Sequence, residues 1–506
     1  MSLDLVNASP AFILGIPLLF AFLTPLADRI SKELRDAVFM IGLLLTVLFV
    51  AVMSYEVFTA EGWAYVFGAE ETGEITRFSF FRIMFVADGF AALATITVAI
   101  TALGAGIYSF AFMEGQSGME KFYTLFLLTL AGVNGMILTA DLFNLFVWFE
   151  VTSIASCGLV AFINYKGKSV EAALKYMFIS VIGGLFLLLS IGLLYGEYGI
   201  LNYFAIAESV NGGVVDRVAL SIILVVLAMK ASSVPMHMWA PDVYTESPGA
   251  VTPFIAITSL GSLFVLFRIL FVVFRYSVST AALGGLLIIL GLLSMFVGVS
   301  MALKQSDVKR LIAYLSVSQI GYMLLAVGVG FSTLENGDYA TFGALALEGG
   351  FFHMINDGVY KALLFLSAAA IVYSTGTRNL NKLGGLAHRM PYTTMFFLIG
   401  GLSIAGIPPL SGFSSKLLIY KSIYLYHPIL AIIALVVSII TFALIGKVFY
   451  NAFLGPDLGL SKGEVPTTML LAMGILTAVV VVFSLFPNYV VAEIVVPAVE
   501  ALGVTA

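Results

Sequence analysis

Apolar residues fill this chain in long, nearly uninterrupted runs, and polar residues gather in the short stretches between them. A bilayer-spanning helix needs about 20 consecutive apolar residues. Such runs fall near 11–27, 37–55, 83–113, 122–140, 142–163, 171–195, 217–236, 250–274, 281–303, 310–331, 341–373, 392–425, 428–453 and 467–490. The pattern predicts an all-α polytopic membrane protein with about fourteen transmembrane helices. Pro235 interrupts the seventh run, and Pro408 with Pro409 the twelfth, so both are predicted to be broken helices. The segment 201–209 is expected to lie at the membrane surface as a short amphipathic piece.

A lysine beside a proline break occurs twice, Lys230 with Pro235 and Lys416 with Pro408-Pro409. The two breaks are an odd number of spans apart, so equivalent helices would run in opposite directions, the mark of inverted repeats. This divides the chain into N-terminal helices over 1–121, a first five-helix repeat over 122–274, a second over 281–453 and a C-terminal helix over 454–506. Odd-numbered connections hold fifteen of the 24 Lys and Arg residues, among them Arg29, Lys166, Lys304, Arg378 and Lys462. The other side has Arg77, Arg82, Arg217, Arg268 and Arg275 and is otherwise acidic, with Glu61, Glu70, Glu71, Glu74, Glu197, Glu208, Asp216, Glu335 and Asp338. The positive-inside bias predicts both termini on the non-cytoplasmic side of the cell membrane. The opening MSLDLVNASP has no basic n-region, so the first helix is expected to be retained.

Composition sharpens the class. Only 10% of the 506 residues are charged and 61% are hydrophobic, whereas soluble domains carry about 25% charged residues. A net charge of -5 leaves no electrostatic footprint for nucleic acid. The single cysteine, Cys157, excludes an intrachain disulfide and an all-cysteine iron–sulfur cluster.

Against that background the charges inside apolar runs stand out, because each costs about 2.5–3.5 kcal/mol at a helix centre on insertion scales. Glu150 lies in DLFNLFVWFEVTSIASCGLVAF, where a carboxylate must be protonated, paired or facing water. Asp141 opens the same run and reads as a helix cap. Lys230 closes the seventh run; it is either a functional amine beside a broken helix or a lysine snorkelling from a helix end. Glu150 and Lys230 are natural partners, and a pair that closes and opens can switch a proton. His353, Asp357 and Lys361 recur at i, i+4 and i+8, on one face of the eleventh span, in the order of a proton relay; the alternative is a polar stripe that satisfies a neighbouring helix. Lys416 follows the second break, and Lys421 sits nearer the helix end, where snorkelling suits it. His237 is a proton relay or a hydrogen-bonded interfacial histidine. Asp242 and Glu246 hold a loop or line an entrance, and Asp88 and Arg82 read as structural. His353 and Asp357 are too few to bind a metal, and no phosphate-binding, dinucleotide, haem or zinc spacing occurs.

Five stretches together resemble one family: DLFNLFVWFE around Glu150, KASSVPMHMWAPD around Lys230, DVKRLIAYLSVSQIGYM at 307–323, NDGVYKALLFL around Lys361, and GIPPLSGFSSK ending at Lys416. They resemble the antiporter-like subunits of respiratory complex I and of the Mrp cation/proton antiporters, most of all the D-type subunit. That type also occurs in archaeal membrane-bound hydrogenases and sulfur-reducing complexes. The resemblance implies Glu150 and Lys230 as a first charge pair, Lys361 as a central site and Lys416 as a far site. Asp357 stands where several relatives have a histidine or a neutral residue, and the eighth span lacks the histidine or lysine some relatives carry. Few residues follow the last span, so no long lateral helix is expected. The expectation is an ion-translocating subunit, not an enzyme on its own and without a cofactor. Its partners would be lipid, small hydrophobic and antiporter-like membrane subunits and, in a redox-driven complex, peripheral iron–sulfur and nickel–iron subunits. A stand-alone Na⁺/H⁺ antiporter is the alternative, with a solute transporter or a passive anchor further behind.

Overall fold

The computed structural model describes residues 3–60, 62–66, 83–335, 337–459 and 462–504. Glu61, Glu70, Glu71, Glu74, Arg77 and Arg82, which enter the charge bias, lie outside them. Twelve of the described helices are long and apolar enough to cross a membrane. In chain order the main elements are α1 (Ser9–Asp28), α2 (Lys32–Thr59), β1 (Trp63–Val66), β2 (Met84–Ala87), α3 (Gly89–Phe112), α4 (Met119–Leu138), α5 (Leu142–Val160), α6 (Gly167–Tyr198) and α7 (Tyr203–Ser209). They continue with α8 (Val214–Lys230), α9 (Trp239–Glu246), α10 (Thr252–Val272), α11 (Thr280–Leu303), α12 (Val308–Ser332) and α13 (Ala344–Thr375). The last are α14 (Pro391–Ala405), α15 (Ser411–Tyr426), α16 (Pro428–Phe449) and α17 (Thr467–Leu485).

The runs interrupted by proline are helix pairs, α8 with α9 and α14 with α15. The peptide bonds Val234–Pro235 and Pro408–Pro409 are cis. Helices α10, α12 and α13 are buried along almost their whole length and form the centre of the bundle. Helices α6, α11 and α16 instead turn apolar stripes outward, including Phe178, Leu185, Phe296, Ile432 and Ile439.

In lipid, helices associate by close packing rather than by hydrophobic driving force. Helices α11 and α12 meet through glycines seven residues apart. A Cβ at Gly284, Gly291 or Gly298 would fall 2.6–2.7 Å from backbone atoms of α12, so only glycine permits this approach.

One feature is unexpected. Strands β1 and β2 pair antiparallel, Trp63 opposite Ala87, and Trp63 Nε1 donates to the Asn7 carbonyl at 3.0 Å. Four-residue strands in an apolar context leave little alternation to read. The segment 201–209 is also less peripheral than expected: Tyr203 and Ile206 of α7 are buried.

The same backbone junction occurs twice. At the start of α5, Leu142 N donates to Leu201 O and Tyr203 N to Ala140 O, bridging Asp141 and Asn202. At the start of α12, Val308 N donates to Arg378 O and Leu380 N to Ser306 O, bridging Asp307 and Asn379. In each, the Asp caps the long helix and the Asn caps the short one that follows.

Candidate functional site

At the first break, neighbouring helices satisfy the backbone groups that the proline frees, as a membrane interior demands. Trp239 Nε1 donates to the Met229 carbonyl at 2.9 Å, and Ser294 Oγ on α11 accepts from Val234 N–H at 3.0 Å. Lys230, 2% exposed, points inward rather than snorkelling. It donates to Ser153 Oγ on α5 and Ser180 Oγ on α6, each at 2.9 Å. Its ammonium is 4.2 Å from the Tyr176 ring centroid and 5.1 Å from that of Phe149, faces that stabilise a desolvated cation.

Glu150 lies one turn before Ser153 on α5. It lines a cavity of about 280 Å³ with Ser153, Cys157, Met177, Ser180 and Val181. No ion pair within 4.0 Å joins Glu150 to Lys230. The two charges are neighbours held apart, the lysine by hydroxyls and the glutamate in the cavity wall.

The second break repeats the arrangement. Lys416, fully buried, donates to the Ile404 carbonyl at 2.8 Å and to Ser438 Oγ at 3.3 Å. Its ammonium lies 4.6 Å from the centroid of the Tyr322 ring on α12. Tyr322 OH in turn donates to the Ala434 carbonyl at 2.6 Å. Gly406 ends α14 with φ 74°, and a side chain there would meet the Lys416 stem at 2.7 Å. Lys421, five residues beyond Lys416, is exposed beside Tyr424 on the surface of α15.

Between the two breaks runs α13. Asp357 and Lys361 form a buried ion pair one turn apart. His353 Nδ1 lies 3.0 Å from Ser415 Oγ, next in sequence to Lys416, and its Nε2 lies 3.2 Å from Gln319 Oε1 on α12. Gln319 Nε2 and Asn356 Oδ1 are buried without a protein partner among the described residues. The structure thus joins Asp357 to Lys361 directly and His353 to the helix of Lys416 through Ser415. Further hydroxyls pair near the first break: Tyr244 OH lies 2.8 Å from Ser259 Oγ, and Ser233 Oγ lies 3.3 Å from Ser294 Oγ.

The secondary candidates divide. Asp141 accepts from Asn144 N–H at 2.7 Å as the cap of α5, and burial raises its carboxyl above the ordinary range. His237 is buried and its Nδ1 has no partner among the described residues. Asp242 joins Lys175 at 3.0 Å and Arg310 at 2.9 Å. It belongs to a clasp around the end of α9. Arg378 bonds Glu246 at 2.5 Å and the Thr245 carbonyl at 2.8 Å, Ser169 donates to the Glu246 carbonyl at 2.9 Å, and Lys309 donates to the Ser247 carbonyl at 2.8 Å. Cations suit that end because the helix dipole is negative there.

Sequence reasoning misses several of these. Lys309 falls among the connections in the hydropathy pattern, yet it is 4% exposed inside the bundle. Arg268, which the charge count groups with one side's basic residues although it falls within the run 250–274, lies inside α10 and grips Asp88, the cap of α3, through both carboxylate oxygens. Asp88 thus both caps α3 and pairs with Arg268. Among the described residues no group of three or more His, Cys, Asp or Glu side chains could hold a metal ion.

Comparison with known proteins places the chain. The chain is 36% identical over 384 residues to the D-type subunit of the Na(+)/H(+) antiporter of Alkalihalophilus pseudofirmus, a match that covers 74% of each chain. Its fold matches a chain of the Mrp complex from Dietzia sp., with TM-score 0.83 and 25% identity over 99% of this chain and 98% of that one. It equally matches a chain of the membrane-bound sulfane sulfur reductase, an archaeal respiratory membrane complex, with TM-score 0.84 and 27% identity over 98% of this chain and 99% of that one. Residues 139–441, from the cap of α5 into α16, match the model of the NADH:quinone oxidoreductase/Mrp antiporter transmembrane family, and the chain belongs to that family.

Proposed function

We propose that this chain is the ion-translocating subunit of a larger membrane complex, and that protons move along Glu150, Lys230, Asp357, Lys361, His353 and Lys416. One observation carries the reading. The buried lysines at both breaks are held by hydroxyls, a carbonyl and ring faces, with no counter-charge within 4.0 Å among the described residues. Burying a charge without a partner is costly, and a lysine kept only for structure would be paired. An amine held this way can lose and regain a proton as its neighbours move. Gln319 Nε2 and Asn356 Oδ1 are polar atoms that a bridging water would satisfy along the route.

The two matching junctions support two inverted five-helix repeats over 122–274 and 281–453, flanked by helices over 1–121 and 454–506. Counting each broken pair as one span beside the twelve long apolar helices supports the reading of fourteen spans. In this reading both termini face away from the cytoplasm across the cell membrane. Partners are lipid and other antiporter-like and small hydrophobic subunits.

Two parent complexes fit. A redox-driven assembly fits because the chain overlays a chain of the sulfane sulfur reductase as completely as it does a chain of the Mrp complex. There, peripheral iron–sulfur or nickel–iron subunits would do the redox chemistry, and this chain would hold no cofactor and catalyse no reaction alone. A Na⁺/H⁺ antiporter is favoured by the 36% identity to a D-type antiporter chain. Purification of the native complex, with identification of its subunits and metals, separates the two. Redox subunits that copurify mean the first, and hydrophobic subunits without redox centres mean the second. Proton uptake by vesicles that carry the complex tests the translocation reading in either case. Lys361→Met should abolish uptake with assembly intact, and normal uptake by that variant overturns it.

A further inference from the structure

Helix α6 meets the first charge pair with two residues one turn apart. Ser180 faces Lys230, with its hydroxyl 2.9 Å from the ammonium. Gly184 faces Glu150: a Cβ built on Gly184 would stand 1.8 Å from Glu150 Oε1 and 3.1 Å from its carboxyl carbon. The adjacent Gly183 serves a different neighbour, since a Cβ there would meet Met229 Cε at 2.4 Å. The Glu150 carboxylate therefore occupies a notch that exists only because residue 184 has no side chain.

We propose that Gly184 is a positioning residue for Glu150: its notch holds the carboxylate away from Lys230, while Ser153 and Ser180 hold the ammonium, so that α6 keeps the charge pair open. This rests on the reading of Glu150 and Lys230 as proton carriers and adds the element that sets their separation. The pair closes when the carboxylate leaves the notch, and the cavity shared by Glu150, Ser153 and Ser180 gives it room to move. Movement of α6 relative to α5 would release it, which makes α6 the lever on the pair.

The geometry makes a clean substitution possible. The atom that a new methyl would strike is the far end of a flexible side chain, so in Gly184→Ala the carboxylate gives way rather than the helix. Gly192 is the control: it lies on the same helix and a Cβ there meets nothing within 4 Å. It carries the same gain in helix propensity. The readout is proton uptake by vesicles that hold the assembled complex. Gly184→Ala should lower uptake about tenfold or more, a barrier change of about 1.4 kcal/mol, and Gly192→Ala should not. Glu150→Asp withdraws the carboxylate by one methylene and should clear the methyl. The Glu150→Asp/Gly184→Ala double variant should therefore recover to the rate of Glu150→Asp alone. If Gly184→Ala fails to assemble, the same second substitution should restore assembly.

Wild-type uptake in Gly184→Ala overturns the proposal, and so does a double variant that falls about tenfold below Glu150→Asp alone. Glu150→Gln keeps the two readings distinct. If it is inactive while Gly184→Ala is normal, the notch alone is wrong. If it transports normally, the role given to Glu150 is wrong and the notch falls with it.

Discussion

Lys230 and Lys421 show what burial does to one residue type. Both close apolar runs in the sequence, yet one is held inside by Ser153 and Ser180 and the other is exposed. Lys230→Met should lower proton uptake about tenfold or more without loss of assembly. Lys421→Ala should stay within about twofold of wild type, because a snorkelling amine contributes little beyond its stem. Paired vesicle assays of the two variants check both. The charged members of the site are legible in the sequence because a charge in an apolar run is expensive and so conspicuous. Ser153, Ser180, Gly184, Gln319 and Ser415 are not legible. Serine bonds to its own helix at small cost, glycine is common in membrane helices, and their partners come from helices distant in sequence.

The break in span seven is an element held from outside. Three successive carbonyls at the end of α9, those of Thr245, Glu246 and Ser247, receive Arg378, Ser169 and Lys309 from three other segments. Proline signals where the helix stops, but nothing local can show that residues 62 to 133 positions away cap the part that resumes. Loss of Lys309 by substitution with Met leaves the Ser247 carbonyl buried without a donor, a cost of about 1–3 kcal/mol. The apparent melting temperature of the detergent-solubilised complex should fall. Asp307→Ala should lower it too, since it removes a cap worth about 1 kcal/mol together with a partner of Arg378. An unchanged melting temperature in both variants would mean that the clasp bears no weight.

For the whole molecule, the outward faces matter most. The cavity of Glu150 is walled by Ile154, Leu174, Met177 and Val181, all exposed. A carboxylate that looks out through such a wall onto lipid tails would cost about 2.5–3.5 kcal/mol, so this face is expected to be covered by a neighbouring polypeptide. A photocrosslinker at Met177 or Val181 in native membranes should capture another polypeptide, and capture of lipid alone would refute that cover. The helical, multi-span class is legible from hydropathy, while the β1–β2 pairing and the outward faces depend on partners in space. Cys157 gives this cavity a further use. It is the chain's one thiol and lines the same space as Glu150. A nitrile group fixed to its sulfur would act as a local voltmeter, its stretching frequency following the electric field each time a proton arrives or departs, with no other cysteine in the chain to blur the signal.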